Sequence, residues 1–384
     1  MEKIKKLFIP DNARVIVISD IHGELELFKQ LLNKVDFNTG DYLIINGDLC
    51  EKGSNSDGVV RFIMELEAQY PNVHVTEGNC DTLVEDLVEE NPELVGYLKT
   101  RQHSILNEWL DKIGFVIGED TTVGEIKEGL TCHFSKEIIW LLQLPTAIEA
   151  DDYIFVHAGL EERVDWEETD RLKAITFREF LHHTHNAGKY VIVGHWPVVN
   201  YSSDISSHKP IIDEVKKMIA IDGGNIIKKT GQLNALIIDR INKKDSITYT
   251  YTDSFPKFEV LEDFHADSEM TGAISYPSYE LVPIIAGQHF TLCEQVETIN
   301  KLYVKNEYIC QGENGSAYAK NDVSCAHITV KKGDIVSLID DNCSGYDLIK
   351  KNGAVGWIGK GILAYQHSLH KKSNSLLNKE ETPV

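Results

Sequence analysis

This 384-residue sequence predicts an α/β fold, and two observations carry that prediction. Apolar, β-branched runs recur at 15–18, 41–46, 73–77, 153–156 and 190–193, and the first three are separated by stretches with apolar residues at helical spacing. Each run also stops on residues able to do chemistry: Asp20-Ile21-His22-Gly23, Gly47-Asp48, Gly78-Asn79, His157-Ala158-Gly159 and Gly194-His195. In open α/β sheets, ligands bind at the carboxyl ends of the strands. Five runs that each deliver Asp, Asn or His to such an end therefore predict a single site.

The first run sits in RVIVISDIHG, 14–23. The stretch 25–35 follows, with Phe28, Leu31, Leu32 and Val35 at i, i+3, i+4, i+7, a helix with one apolar face. Asp20 and His22 fall on the strand-to-helix connection. Two residues apart on an extended segment, they would point to the same side and offer a metal ion one oxygen and one imidazole nitrogen. The second helix, 58–69, places Val59, Phe62, Ile63 and Leu66 on one face. From about 81 to 148 the pattern is helical with no ligand motif, so a helical insertion is expected there. Strands resume at 153 and 190. Runs at 218–222, 233–239 and 247–251 follow, the last two alternating like paired strands.

Composition narrows the function. Hydrophobic residues make up 42% of the chain, enough for a full core, and the net charge is −22. Basic residues cluster only as isolated pairs such as Lys216-Lys217 and Lys331-Lys332, so no nucleic-acid partner is expected. No run approaches the roughly 20 apolar residues of a membrane span, and the N-terminus lacks a signal-peptide core. Seven cysteines without CxxC spacing read as reduced thiols, and the expected location is cytoplasmic.

The motifs Asp20-x-His22, Gly47-Asp48, Gly78-Asn79, 156–160 (VHAGL) and Gly194-His195 resemble, in order and spacing, those of calcineurin-like metallophosphoesterases. Gly47-Asp48-Leu49-Cys50-Glu51-Lys52-Gly53 is similar to GD-x-x-DRG of the serine/threonine phosphoprotein phosphatase (PPP) branch and its diadenosine tetraphosphatase relatives. Ile221-Asp222-Gly223-Gly224, followed by Gly231-Gln232-Leu233, is similar to that branch's ID-x-G…G-x-L ending. The resemblance covers about 13–252. It implies a β-sandwich flanked by helices and two divalent transition-metal ions, with Mn, Fe or Zn suiting the mixed donors. One ion would take Asp20, His22 and Asp48, the other Asp48, Asn79, His157 and His195. It further implies hydrolysis of phosphate esters by a metal-activated hydroxide, with Arg178, Lys52 and Asn79 meeting the substrate phosphate.

Two departures bear on mechanism. The family's GNH-[DE] is here Gly78-Asn79-Cys80-Asp81, and its DRG is Glu51-Lys52-Gly53. The family histidine protonates the leaving oxygen and is oriented by the Asp of DRG, so Cys80, Glu51 and Asp81 become the catalytic candidates beside Asp48. Three readings follow: a serine/threonine-type protein phosphatase, expected first; a hydrolase of activated phosphates such as dinucleoside polyphosphates; or a metal-binding protein with little catalysis.

The expected organisation is a phosphoesterase domain at 1–254, a linker at 255–278, a small β domain at 279–366 and a disordered tail at 367–384. Within the β domain, KKGDIVSLID and YDLIKKNGAVGWIG resemble the later half of an SH3-like barrel. That resemblance implies a peptide partner, with Tyr346, Trp357 and Tyr365 as groove aromatics or, equally, as core.

Overall fold

The computed structural model describes residues 1–364 apart from 2, 243 and 313–315; Tyr365 and the segment read as a tail lie outside the described residues. Two sheets face one another. The first has five strands in the order Lys244–Thr252, Leu233–Ile241, Arg14–Ile18, Tyr42–Asn46, Val73–Thr76. The second has six, in the order Ile4–Lys6, Ala147–Glu149, Tyr153–Val156, Tyr190–Val193, Met218–Ala220, Ile211–Asp213.

The strands Arg14–Ile18, Tyr42–Asn46, Tyr153–Val156 and Tyr190–Val193 read as near-continuous apolar runs because both faces are covered. Along Arg14–Ile18, Val15 and Val17 join the core between the sheets, with Ile44, Leu236, Phe155, Ile192 and Ile219. Ile16 and Ile18 point the other way, into a core shared with Phe28, Leu31, Val59 and Ile63 of the flanking helices. Each fully buried Val, Ile or Phe contributes about 1.5–3 kcal/mol. The helices are Leu25–Lys34 and Ser56–Gln69; the second is capped by Asn55, whose side chain accepts from Gly58 N.

Between Leu83 and Leu142 the chain is helical: Leu83–Val88, Leu94–Thr100, Ile105–Ile113 and Val123–Leu142. The last begins with a capping box between Thr122 and Glu125. Trp109 stacks on Phe134 at 4.9 Å, so this insertion shares the outer core of the first sheet.

The C-terminal region departs from expectation. Among the described residues no closed barrel forms. One four-stranded sheet runs Lys257–Glu259, Ile335–Asp340, Tyr346–Lys351, Ala354–Gly359, and one five-stranded sheet runs Lys301–Lys305, Phe290–Gln295, Glu280–Ala286, Ala317–Ala319, Ile309–Gln311. The hairpin at Asn352-Gly353 is present, with φ of 50° and 79° at the two turn residues. Trp357 is fully buried and donates from Nε1 to Ser324 O at 2.7 Å, while Tyr346 packs against Phe290 and His327. Trp357 is part of the core, and Tyr346 packs against that core while remaining half-buried.

Two short stretches of the segment read as a linker pair with later strands. Lys257–Glu259 joins Ile335–Asp340, and Ala273–Ile274 joins Val323–Ser324. The region is also fastened to the first two sheets. His208 N donates to Gly353 O at 2.8 Å, and Val355 N donates to Ser206 O at 2.9 Å. Lys350, fully buried, donates to Gly231 O at 2.8 Å and lies 3.5 Å from Asp253.

Candidate metal centre

The carboxyl ends of Arg14–Ile18, Tyr42–Asn46, Val73–Thr76, Tyr153–Val156 and Tyr190–Val193 converge. Asn46 ties the two sheets together there: Nδ2 donates to Val156 O and Ile192 O, both at 3.0 Å, and Oδ1 accepts from Thr76. The backbone then turns sharply. Asp20, His22, Asp48 and His195 all have positive φ, between 50° and 64°. Non-glycine residues seldom adopt this conformation, and such strain concentrates at functional sites. Asp20 and His22 therefore reach the same crevice through a left-handed turn, not through the extended geometry expected for them.

Asp48 stands at the centre. Its Oδ2 lies 3.7 Å from His22 Nε2, and its Oδ1 lies 3.3 Å from His157 Nε2. The other nitrogen of each ring faces a carbonyl, which can only accept: His22 Nδ1 donates to Cys50 O at 3.2 Å and His157 Nδ1 to Asn46 O at 3.0 Å. These bonds turn both Nε2 atoms inward, as outer partners do at metal-binding histidines. Asp20 accepts from His195 N through both oxygens at 3.2 Å, and the His195 ring meets that of His157 edge-on at 5.2 Å.

Three observations test whether these residues suit cations. His22 Nε2 is buried with no hydrogen-bond partner. The amide oxygen of Asn79 is turned toward the ring nitrogens of His157, at 3.3 Å, and His195, so that three possible ligand atoms converge. The charges are also unbalanced. Burial, then Asp222 and Asp48, pushes Asp20 well above the ordinary carboxylate range, and burial pushes Asp222 up to about 6. His157 is buried too, yet Asp48 beside it raises it to about 10. The donor set fits metal ions of the kind that accept both imidazole and carboxylate.

Asp222 was not among the expected site residues, although its motif was visible. It is fully buried, Oδ1 accepts from Gly224 N at 2.7 Å, and Oδ2 has no hydrogen-bond partner. The charge it adds beside Asp20 belongs to the site.

The remaining expected residues divide. Asp81 is a brace: Oδ1 accepts from Leu49 N and Cys50 N at 2.8 and 3.1 Å, and Oδ2 accepts from Gly78 N at 2.9 Å. Glu51 is occupied as well. Ile105 N and Tyr97 OH, both from the helical insertion, donate to its two oxygens at 2.9 Å. Each carboxylate is thus engaged by the scaffold, not turned outward to a reacting group. Lys52 and Arg178 are exposed, with no ion-pair partner among the described residues. Arg178 lies on a turn after the helix Arg171–Thr176; burial, then His157, lowers the His195 pKa to about 4, and the Arg178 charge adds to that. At the rim, Trp196 meets Tyr276 from the C-terminal region at 6.0 Å.

Two glycines are required by close approach. A Cβ at Gly78 would collide with Asp48, and one at Gly194 would overlap the Asp20 carboxylate and lie 2.7 Å from Ser19 Oγ. Gly194→Ala is therefore expected to displace Asp20 and lower metal content sharply while the far-ultraviolet circular dichroism stays unchanged. Elemental analysis of the purified variant checks this; an unchanged metal content would contradict the placement of Asp20.

Paired sheets with a histidine–carboxylate cluster at their strand ends define a metallohydrolase-type centre. The sequence profile of the calcineurin-like phosphoesterase family matches residues 13–216, and the chain belongs to that family. Among curated relatives, a protein named symmetrical bis(5'-nucleosyl)-tetraphosphatase from Chromobacterium violaceum is 30% identical over 148 residues, 38% of this chain and 43% of that protein. One of the same name from Buchnera aphidicola is 45% identical over 65 residues, 17% of this chain and 23% of that protein. The chain thus spans less than half the length of these relatives. Among solved structures, one described as a putative diadenosine tetraphosphatase aligns with 66% of this chain and 99% of its own, at 18% identity and TM-score 0.44. A serine/threonine phosphatase from Saccharomyces cerevisiae aligns with 66% and 84%, at 12% identity and TM-score 0.43. No helix among the described residues is long and apolar enough to cross a membrane.

Proposed function

We propose that this chain hydrolyses phosphate bonds whose leaving group departs without a proton, dinucleoside polyphosphates foremost. The observation that carries this reading is position 80. A phosphoserine substrate releases an alkoxide, which needs an acid beside it, and general acid assistance is worth typically 10²–10⁴-fold. Here the position offers a sulfur, while Glu51 and Asp81 are both held by backbone or insertion partners. A nucleotide released from a phosphoanhydride is a far better leaving group. The names of the two curated relatives point the same way.

In this reading Asp20, His22 and Asp48 hold one divalent cation, and Asp48, Asn79, His157 and His195 hold the other. When bound, the cations supply Lewis acidity and compensate charge on the phosphoryl group. Arg178 offers a guanidinium fork to phosphate oxygens at the mouth, and Lys52 adds a second exposed cation. Both matter for drawing a polyanion toward a chain of net charge −22. The catalytic residues all fall within 1–254, the expected phosphoesterase domain, and the C-terminal sheets brace the loop that carries Asp222.

The deciding experiment compares substrates on one metal-loaded preparation. Diadenosine tetraphosphate and p-nitrophenyl phosphate are expected to turn over, with a phosphoserine peptide slower by roughly 10²-fold or more, the deficit of a missing acid. A phosphoserine peptide cleaved as fast as the anhydride would overturn the reading in favour of a protein phosphatase. No turnover of any substrate would favour a binding role.

A further inference from the structure

We propose that Cys80 is itself a ligand of the first cation, so that this centre carries a thiolate beside His22 and Asp48. The inference rests on the metal reading above and extends it.

Three observations converge. The Cys80 sulfur, a ring nitrogen of His22 and a carboxylate oxygen of Asp48 all lie within 4.8 Å of one another. His22 Nε2 is fully buried and has no hydrogen-bond partner of its own, so the group contains a donor atom still seeking an acceptor of its lone pair. The backbone around position 80 is also fixed. Cys80 N donates to Asp48 Oδ1 at 2.8 Å, and Gly78 N is held by Asp81. The bonds fix where the Cys80 Cβ stands, so the position of the sulfur depends only on rotation about Cα–Cβ, among three staggered rotamers.

Side-chain length explains why sulfur and imidazole differ here. A histidine at position 80 would carry its distal nitrogen well beyond Cβ, out toward a leaving group. Sulfur is bonded directly to Cβ and stays within the donor cluster. Coordination requires the thiolate, so the thiol proton passes to solvent as the cation binds, leaving no proton for a leaving group. A soft donor in the set would also shift preference toward Zn²⁺ and Co²⁺ over Mn²⁺ and Mg²⁺.

The test uses full-length protein loaded with Co²⁺ and reads absorbance, not turnover. A thiolate-to-cobalt charge-transfer band in the near ultraviolet is expected, absent in Cys80→Ser and retained in Cys132→Ser, which alters an exposed cysteine. Cobalt affinity at one of the two sites is expected to fall roughly tenfold or more in Cys80→Ser, at least the loss that follows removal of a supporting partner. Should Cys80→Ser fail to fold, alkylation of the wild-type chain decides: Cys80 is expected to react with iodoacetamide when metal-free and to be protected when loaded. Two cobalt ions per chain with visible bands but no charge-transfer band, or unprotected Cys80, would overturn the proposal while leaving the metal centre standing. Failure to bind cobalt at all would overturn both.

Discussion

Asparagine in place of Asp48 is expected to abolish turnover and empty both metal sites while leaving the fold intact. The substitution keeps the size and the oxygen that accepts from Cys80 N. It removes the charge that stands between His22 at 3.7 Å and His157 at 3.3 Å. Loss of an outer partner of a metal ligand typically costs 10–100-fold in affinity or activity; loss of a carboxylate shared by two sites should exceed that, to about 10³-fold or more in kcat. Elemental analysis, a saturation curve with p-nitrophenyl phosphate and a thermal melt together check it. Retention of two ions per chain, or of near-normal kcat, would place the catalytic centre elsewhere.

Cys80→His has the opposite sign. An imidazole at this position would reach past the donor cluster and supply the missing proton, raising kcat on a phosphoserine peptide by roughly tenfold or more. On p-nitrophenyl phosphate the change should be small, because that phenolate leaves unaided. The gain will fall short of the full range expected of a general acid. Both Glu51 oxygens already accept from Tyr97 and Ile105, so the carboxylate has little freedom to turn toward the new ring and orient it. A lower kcat with unchanged KM would show that the sulfur already serves as acid. Equal gains on both substrates would point to altered cation binding instead.

The strand ends were legible because most of the buried runs are apolar on both faces and stop abruptly at a residue with no business in a core. That contrast survives without any knowledge of pairing. The structural roles of Glu51 and Asp81 were not legible. The groups that engage Glu51 lie 46 and 54 residues further along, on the insertion, and Asp81 holds backbone N–H groups about 30 residues upstream. Sequence shows a carboxylate; only the fold shows what already occupies it. Asp222 was visible as part of a motif, but its unbalanced charge becomes apparent only when Asp20 is brought beside it. Of the C-terminal strands, Ile335–Asp340, Tyr346–Lys351 and Ala354–Gly359 were legible within the two barrel-like motifs, whereas their pairing was not. Lys257–Glu259 completes a sheet with Ile335–Asp340 across most of the region, a register that turn residues cannot specify. The same applies to Trp357, whose neighbours Phe290 and Tyr308 lie on distant strands and rings.

The join between the C-terminal sheets and the segments around Asp222 uses main-chain atoms at several positions, together with an ion pair of Lys228 with Asp322 at 2.7 Å. Ser206 pairs with Val355, His208 with Gly353, and Lys350 reaches the carbonyl of Gly231. At its main-chain positions such a joint does not read side-chain identity, so substitutions there can accumulate while the two parts stay in alignment. It does read spacing. One residue added to or removed from the turn at Asn352-Gly353 would shift every main-chain partner along the seam, and with it the loop that holds Asp222 beside Asp20. Length, more than composition, is what this part of the chain has least freedom to change.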